Sequence, residues 1–414
     1  MTSQEGELAA VDGAPPEHPL SLRGPLLLTL AALSAFGPMS LDLYLPAFPA
    51  IASSLRVSTG DVQLTFSACL IGLGAGQLVY GPLSDRFGRK PPLMAGLALY
   101  VVAAVLCAVA PTLAMLTLAR LLMGLGGCAG LVISRAIVRD CFDGVALARS
   151  FSVISSVSML APLIAPALGA VVLRVATWQV MFLVMAAFGV ACLLAAFTLP
   201  ETHPSRHRTE HGVVASIRGY VTLLGQKRFV LPASIAALAS ATLLTYISSS
   251  SVVFMGGYGV SPAGFALVFA LMALCFIGGL RLNMRLVQRH PIHVLLRAYL
   301  AVEVPALVVL VVLLAVHAPV WAVLAALGVV KACLGGTFPN ATAETMEPFK
   351  RTAGSASALL GTMQFVLGGI VAAVLASLSF TPSLEMSVTM LGLAVVASLL
   401  AAVRRSTVRT TAEM

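Results

Sequence analysis

Four charged side chains interrupt long apolar stretches of the sequence: Asp42, Arg120, Glu303 and Lys331. A carboxylate in an apolar environment can be neutralised by a proton and can ionise again when water reaches it, and a nearby cation favours the ionised form. Asp42 is the better candidate for such a proton switch, with Arg120 as the cation that acts on it. Glu303, beside Pro305, is the competing acid.

Covalent catalysis has no support in the sequence, which contains no phosphate-binding loop, no GxSxG and no HExxH. The serines at 248–251 stand in an apolar stretch without a base nearby. His203, His207 and His211 flank Pro204, which disfavours a helix, so we interpret them as part of a solvated linker rather than a metal site. The seven cysteines form no CxxC pair and are interpreted as small core residues. We predict a non-enzyme with no cofactor and no metal.

The elements that position these charges must lie in a membrane. The chain is 59% hydrophobic and 10% charged, whereas soluble domains are about half apolar and about a quarter charged. The net charge of +9 comes from lysines and arginines that stand singly between apolar segments. They form no basic stripe of the kind that binds nucleic acid, so we predict no nucleic-acid partner. The apolar segments leave no stretch long enough for a nucleotide-hydrolysing domain. We therefore expect the energy for transport to come from an ion gradient or from the substrate's own gradient.

Apolar stretches of about 20 residues predict membrane-spanning helices. We predict an all-α protein with twelve transmembrane helices. Their limits are 25–50, 62–82, 93–110, 113–138, 147–173, 179–199, 229–255, 263–283, 293–316, 320–343, 353–379 and 384–404. The polar, proline-containing residues 1–24 lack the pattern of a signal peptide and are predicted to form a disordered cytoplasmic tail.

The longest polar interruption divides the helices six and six. We predict an N-terminal half at 25–200, a cytoplasmic linker at 201–228, a C-terminal half at 229–404 and a cytoplasmic tail at 405–414. Lysines and arginines stay preferentially on the cytoplasmic side. With both termini in the cytoplasm, all but four of the 25 lysines and arginines fall in cytoplasmic segments. The exceptions are Arg56, Arg174, Arg120 and Lys331.

The segment between the second and third predicted helices reads GPLSDRFGRK. A tight turn needs glycines, here Gly81 and Gly88, and Asp85 can pair with Arg86 or Arg89 or accept bonds from a helix N-terminus. The segment resembles the signature loop of the major facilitator superfamily, where it latches one half of a transporter against the other. We therefore predict these five residues to form a conformational latch.

A weaker copy of this loop follows one half later, where LNMRLVQR at 282–289 aligns with LSDRFGRK at 83–90. An arginine and the final base remain, while the acid and the glycine are lost. Such an internal repeat favours two structurally related halves and predicts a weaker second latch.

The fourth predicted helix contains RLLMGLGGCA, which begins at Arg120 and is similar to a family motif of an arginine followed by glycines. At 1.5 Å per residue, Arg120 lies about 13 Å beyond Pro111 along the helix. A charge at that depth costs about 2.5 kcal/mol or more, so it is expected to face a cavity or a partner.

The fifth predicted helix contains APLIAPALGA, which resembles the motif of antiporters, with alanine at most positions where the family prefers glycine. Ala161, Ala165 and Gly169 recur every four residues and allow close helix approach. Pro166 loosens the local hydrogen bonding.

Further segments read SLDLYLPAFP from Ser40, RAIVRDCF from Arg135 and PFKRTAGSASA from Pro348. Together with the motifs above they look like the bicyclomycin and chloramphenicol resistance (Bcr/CflA) branch of drug:proton antiporters. The resemblance covers nearly the whole chain and implies the major facilitator fold and export of drug-like molecules in exchange for protons. It also implies a monomer in the bacterial inner membrane. Some relatives carry a second acid where this chain has Ser34.

The same resemblance places helices one, four, seven and ten around a central cavity. Aromatic and methionine side chains there can repack around varied ligands, and Lys331 can repel cations or hold an anionic group. The candidate substrate-binding residues are Met39, Tyr44, Met123, Tyr246, Phe254 and Lys331. Glu303 falls in a helix that is peripheral in this fold, which favours a local structural role.

Two other functions stay open. A proton-coupled exporter of a sugar, an amino acid or a polyamine has the same fold, although a sugar site needs more polar groups than these helices contain. A membrane-embedded enzyme or lipid-handling protein needs a catalytic cluster, which the sequence lacks, or a lateral opening.

Overall fold

The computed structural model describes residues 23–203, 213–378 and 381–412, and every regular element in these ranges is a helix. Within these ranges, twelve helices are long and apolar enough to cross a membrane, which confirms the predicted number. We label them α1 (Gly24–Leu55), α2 (Thr59–Phe87), α3 (Lys90–Ala108), α4 (Leu113–Cys141), α5 (Gly144–Val175), α6 (Trp178–Thr198), α7 (Lys227–Gly257), α8 (Pro262–Leu286), α9 (Ile292–Ala315), α10 (Val320–Phe349), α11 (Ala353–Ser377) and α12 (Pro382–Val403).

Three sequence predictions fall outside the described residues. They concern the disorder of the N-terminal tail, all but its last two residues, the histidines at 207 and 211, and the last two residues of the C-terminal tail. The helix of α12 itself continues to Ala412.

Helix α1 is broken near its middle. Its segment Phe36–Asp42 is followed by a short 3-10 turn at Leu45–Ala47 and then by a further helix at Phe48–Leu55. Pro46 and Pro49 stand at the starts of these two elements, where a missing backbone N–H costs least. The break leaves Asp42 at the end of a helical segment inside the protein.

Glycines allow α2 to approach α4, and α8 to approach α10, at backbone distance. A Cβ atom on Gly72 would overlap the carbonyl of Leu121, and one on Gly124 would overlap the carbonyl of Cys69. In the C-terminal half, a Cβ on Gly279 would overlap the carbonyl of Ala332. The two halves are therefore built on the same backbone contacts, as the internal repeat predicts.

The halves meet mainly through α2 against α11 and α5 against α8. Ser67 donates a hydrogen bond to the carbonyl of Gly369, and Thr362 donates one to the carbonyl of Gly74 at 2.9 Å. These bonds join side chains of one half to the backbone of the other, so they fix how α2 and α11 sit against each other.

The two ends of the bundle differ. We call the end that carries the α2–α3 loop the basic end and the other the opposite end. At the opposite end, the Gln63 amide donates hydrogen bonds to the hydroxyls of Ser248 and Ser249 at 3.0 and 3.1 Å, and Ser251 donates one to the carbonyl of Leu45 at 2.9 Å. At the basic end, a cleft of about 440 Å³ separates the halves. The molecule is thus closed at one end and open at the other.

The predicted linker contains a helix, Val213–Leu224, which packs on α2, α7 and α11. Tyr220 and Leu223 are buried on it, and the Tyr220 hydroxyl donates a weak 3.5 Å hydrogen bond to the carbonyl of Leu78. This part of the linker is therefore docked on both halves instead of being fully solvated.

Candidate functional site

Arg120 lies completely buried on α4, and aromatic rings surround its guanidinium. The guanidinium carbon is 4.1 Å from the centre of the Tyr44 ring and 5.9 Å from that of Phe182, and Nη1 lies 3.6 Å from the sulfur of Met123. Its Nε and Nη2 atoms have no hydrogen-bond partner among the described residues. A planar, weakly hydrated cation tolerates such stacking better than an ammonium group does.

Asp42 is 2% exposed, and its Oδ1 atom has no hydrogen-bond partner in the described part of the chain. The strongest electrostatic attraction on its carboxylate comes from Lys331 in the other half, and the charge of Asp42 also acts on Tyr246. No ion pair within 4.0 Å joins Asp42 to Lys331 or to Arg120 in the described ranges. The predicted pairing of Asp42 with Arg120 is therefore absent from this conformation, because Arg120 is held by the Tyr44 ring.

Lys331 on α10 is 3% exposed, and its Nζ atom lies 4.2 Å from the centre of the Tyr246 ring and 5.9 Å from that of Phe276. It lines a cavity of about 160 Å³ between α5 and the C-terminal half. The other lining residues are mostly apolar or aromatic: Ser158, Met159, Pro162, Leu243, Tyr246, Ile247, Phe269, Ala273, Phe276 and Ile277. One ammonium group thus faces a pocket whose walls are rings and aliphatic side chains.

Glu303 is also buried, but its surroundings are local. The Thr337 hydroxyl donates a 3.0 Å hydrogen bond to its carboxylate, which joins α9 to α10 within the C-terminal half. This contact agrees with the structural role that the sequence favours for Glu303.

The predicted latch centres on Arg89. Its guanidinium forms ion pairs with Asp85 and, at 2.8 Å, with Asp140 at the end of α4, and it donates a 2.9 Å bond to Ser84. Burial by itself lowers the pKa of Arg89, but the bonds with Asp140 and Asp85 outweigh it and hold that pKa above its ordinary value. The Glu201 carboxylate accepts the Arg89 backbone N–H at 2.8 Å. Asp85, Asp140 and Ser84 belong to the N-terminal half, and Glu201 is the first residue of the linker that follows it.

The turn of this loop is shorter than the sequence predicts. Helix α2 runs to Phe87, so Gly81 lies inside the helix, where an added Cβ would meet nothing within 4 Å. Of the two glycines of this loop motif, Gly88 alone, with φ of 91°, adopts a conformation that favours glycine. Arg86 points its guanidinium over the neighbouring Phe87 ring at 5.2 Å instead of joining the Arg89 cluster.

The cleft at the basic end is lined by both halves. Asp85, whose side chain is 52% exposed, faces it together with the exposed Arg135 and Arg139 of α4 and with Tyr220. Burial and the charge of Asp85 raise the pKa of Tyr220 to about 12. The first turn of α11 forms the other wall of the cleft. An open gap therefore separates Asp85 from the C-terminal half.

The small residues of α5 contact α1 at its break. An added Cβ on Gly169 would overlap the carbonyl of Leu43, the residue after Asp42, and Ala161, Ala165 and Pro166 are buried. The motif thus holds the backbone of α1 beside the candidate proton carrier.

The predicted substrate residues separate into three groups. Lys331 and Tyr246 line the 160 Å³ cavity, and Tyr44 and Met123 surround Arg120. Met39 is partly buried in the core and Phe254 is fully buried near Tyr258, and neither lines this cavity or the cleft.

Sequence reasoning missed other residues of the site. Asp140 lies in the RAIVRDCF segment, whose pattern indicates a family resemblance but no ion pair, and Glu201 is the first residue of the linker. The serines after Ile247 and their partner Gln63 close the opposite end. Gln63 and Ser248 are 185 residues apart in the chain, so no local sequence pattern indicates that they are hydrogen-bonded.

The fold, the buried charges and the loop motif are those of a membrane transporter. Residues 30–373 match the Major Facilitator Superfamily, and the chain belongs to this family of transporters. It is therefore not an enzyme but a multi-pass carrier of small molecules.

Two relatives cover most of the chain. An uncharacterised MFS-type transporter of Bacillus subtilis (YdgK) is 34% identical over 377 residues, which are 90% of this chain and 94% of that protein. A bicyclomycin resistance protein homolog of Haemophilus influenzae is 32% identical over 380 residues, 91% and 94% of the two chains. The multidrug resistance protein MdtL of Escherichia coli is 33% identical over 243 residues, 58% and 61% of the two chains.

A solved structure shares the fold. A D-xylose-proton symporter superposes with a TM-score of 0.74 over 91% of this chain and 96% of its own, at 14% sequence identity. At this identity the likeness supports the twelve-helix architecture and nothing about the substrate.

Proposed function

We propose that the protein is a proton-coupled exporter of drug-like molecules that works by alternating access in a bacterial cytoplasmic membrane. Both termini and the basic end face the cytoplasm, in accord with the distribution of lysine and arginine. The names of the Haemophilus and Escherichia relatives, which refer to bicyclomycin and multidrug resistance, support export of drugs.

The observation that carries proton coupling is the buried Asp42. One oxygen of its carboxylate has no hydrogen-bond partner among the described residues, Lys331 of the other half attracts it, and it lies where α1 breaks. A proton on Asp42 removes a charge from a poorly hydrated site, and a bound substrate that needs the ionised form cannot bind with the proton. Mutual exclusion of this kind is the minimum requirement for exchange.

The rest of the site supports this cycle. With the opposite end closed and the basic end open, a substrate enters from the cytoplasm through the cleft. Opening of the opposite end then requires the bonds of Gln63 and Ser251 to break, while Asp85 and the start of α11 close the cleft. Arg120 keeps Tyr44 in place and, as a fixed cation, favours ionised Asp42 when α1 moves.

Transport into inverted membrane vesicles tests this function. Vesicles that contain the protein are expected to accumulate a drug when their interior is acidic, and accumulation is expected to stop when a protonophore removes the gradient. Uptake that is indifferent to the gradient contradicts proton coupling. The matched control is the Asp42→Asn variant in the same membranes.

A proton-coupled exporter of an endogenous metabolite is the second candidate. The opposed charges of Asp42 and Lys331 favour it, because a purely apolar drug needs neither. Growth inhibition with and without expression separates the two, since only a drug exporter protects cells from added drugs.

A further inference from the structure

The central charges form an incomplete pair. Asp42 belongs to the N-terminal half and Lys331 to the C-terminal half, both are at most 3% exposed, and they attract each other without an ion pair within 4.0 Å. Buried charges are costly unless a partner compensates them directly. Within the described ranges, one Asp42 oxygen has no hydrogen bond, and two aromatic rings contact Lys331 and stabilise it without neutralising its charge. Neither group therefore has a direct counter-charge among the described residues, and a ligand's charge would supply one.

The cavity beside Lys331 indicates the body of that ligand. Its walls contain the rings of Tyr246, Phe269 and Phe276, and Lys331 is its charged lining residue. Asp42 does not line this cavity in the present conformation, but its charge acts on two residues that do, Lys331 and Tyr246. An aromatic or branched apolar group fits such walls, and a carboxylate fits the ammonium group.

Charge balance then selects the second group of the ligand. A ligand with only a positive charge would compensate Asp42 but would be repelled by Lys331, and a ligand with only a negative charge would meet the reverse problem. In a site of low polarity the total charge has to stay near zero. A molecule that carries both an amine and a carboxylate satisfies both side chains at once.

We propose that the central site recognises zwitterions with an apolar body, binding the carboxylate at Lys331 and the amine at Asp42. The inference rests on the proposed export function and names its substrate class. The amine takes the place of the proton on Asp42, so a zwitterion and a proton exclude each other, as exchange requires. Lys331 acts as a specificity-determining residue, and Tyr246 interacts with both charges.

A set of four probes with the same phenyl ring tests the proposal in the purified full-length protein in lipid nanodiscs. Phenylalanine is zwitterionic, phenethylamine cationic, 3-phenylpropanoate anionic and 2-phenylethanol neutral at pH 7. Phenylalanine is expected to bind at least about tenfold more tightly than each of the other three, because each of them leaves at least one buried charge unmatched. This ranking needs no variant, so it does not depend on whether a mutant folds.

Two variants then shift the preference in opposite directions. Lys331→Met is expected to make phenethylamine the tightest probe, and Asp42→Asn is expected to make 3-phenylpropanoate the tightest. Glu303→Gln is the matched control, since this acid is buried but bonded to Thr337, and it should leave the ranking unchanged.

The outcomes separate this inference from the export function. Equal binding of all four probes, binding of none, or a preference of the wild type for a singly charged probe overturns the zwitterion site. Vesicle transport is measured independently. If the four probes rank as expected but no gradient-driven accumulation occurs, proton-coupled export is contradicted and the zwitterion site is retained. If drug export is gradient-driven but the probes rank differently, the zwitterion site is contradicted and proton-coupled export is retained.

Discussion

The two halves place a cation over a tyrosine in the same way. Arg120 lies 4.1 Å from the Tyr44 ring between α4 and α1, and Lys331 lies 4.2 Å from the Tyr246 ring between α10 and α7. Each cation is followed four residues later by a glycine that packs on a backbone carbonyl of a neighbouring helix, of Cys69 in one half and of Phe276 in the other. The backbone scaffold is thus repeated.

The surroundings of the two cations differ. Arg120 is sealed between rings and a methionine sulfur, whereas Lys331 opens on a cavity and attracts the acid of the other half. A guanidinium is planar and weakly hydrated, so rings can cover it, while a compact ammonium needs a counter-charge or a ligand. The comparison indicates that one copy of a repeated arrangement stabilises the fold and the other is available for binding.

The largest effect is expected from removing the charge of Asp42, the acid that Lys331 attracts. Asp42→Asn has the shape of the protonated residue but cannot release a proton, so gradient-driven accumulation in inverted vesicles should fall to background. Glu303→Gln, the buried acid with a local partner, should keep most of the wild-type rate. If Asp42→Asn still accumulates the drug and Glu303→Gln does not, the proton carrier is Glu303 and not Asp42.

Substitution of the sealed cation should have the next largest effect. Arg120→Ala leaves a hole between Tyr44 and Phe182 and should abolish export and lower the unfolding temperature of the purified protein. Arg120→Lys should stay roughly tenfold below wild type, since an ammonium cannot stack as a planar fork does. Full transport by Arg120→Ala would show that the sealed cation is dispensable.

The repeated backbone predicts equal sensitivity in both halves. Gly72→Ala and Gly279→Ala place a Cβ on the carbonyls of Leu121 and Ala332 and should each destabilise by roughly 1–3 kcal/mol. Gly278→Ala and Gly81→Ala are the matched controls, because an added Cβ meets nothing within 4 Å there. Unfolding of the four purified variants in detergent checks this. A large difference between the halves would argue against a shared scaffold.

The smallest effect is expected at the latch. Asp85→Ala removes one of the two carboxylates on Arg89 but leaves Asp140, so the N-terminal half should stay intact. The variant should slow transport about tenfold, a typical coupling strength, with unchanged equilibrium drug binding. Weakened binding at a normal rate of turnover would place Asp85 in the substrate site instead.

The sequence by itself determined the number of helices, because an apolar stretch long enough to cross a bilayer is a local property. The order of the helices along the chain follows directly from the order of these stretches. The identity of the buried charges was also readable from the sequence, since Asp42, Arg120, Glu303 and Lys331 stand among apolar neighbours. The φ of Gly88 agrees with the turn that its motif predicts, because a left-handed residue is also a local requirement.

Only the tertiary structure decided which of the buried charges attract each other most strongly. Asp42 and Lys331 stand in different halves, and Arg120 is closer in sequence to Asp42, yet the strongest attraction on Asp42 comes from Lys331. Electrostatic attraction acts through space, and the chain separation of two residues says nothing about it. The same holds for Gln63 with Ser248 and for Arg89 with Asp140, whose contacts exist only once the helices have packed.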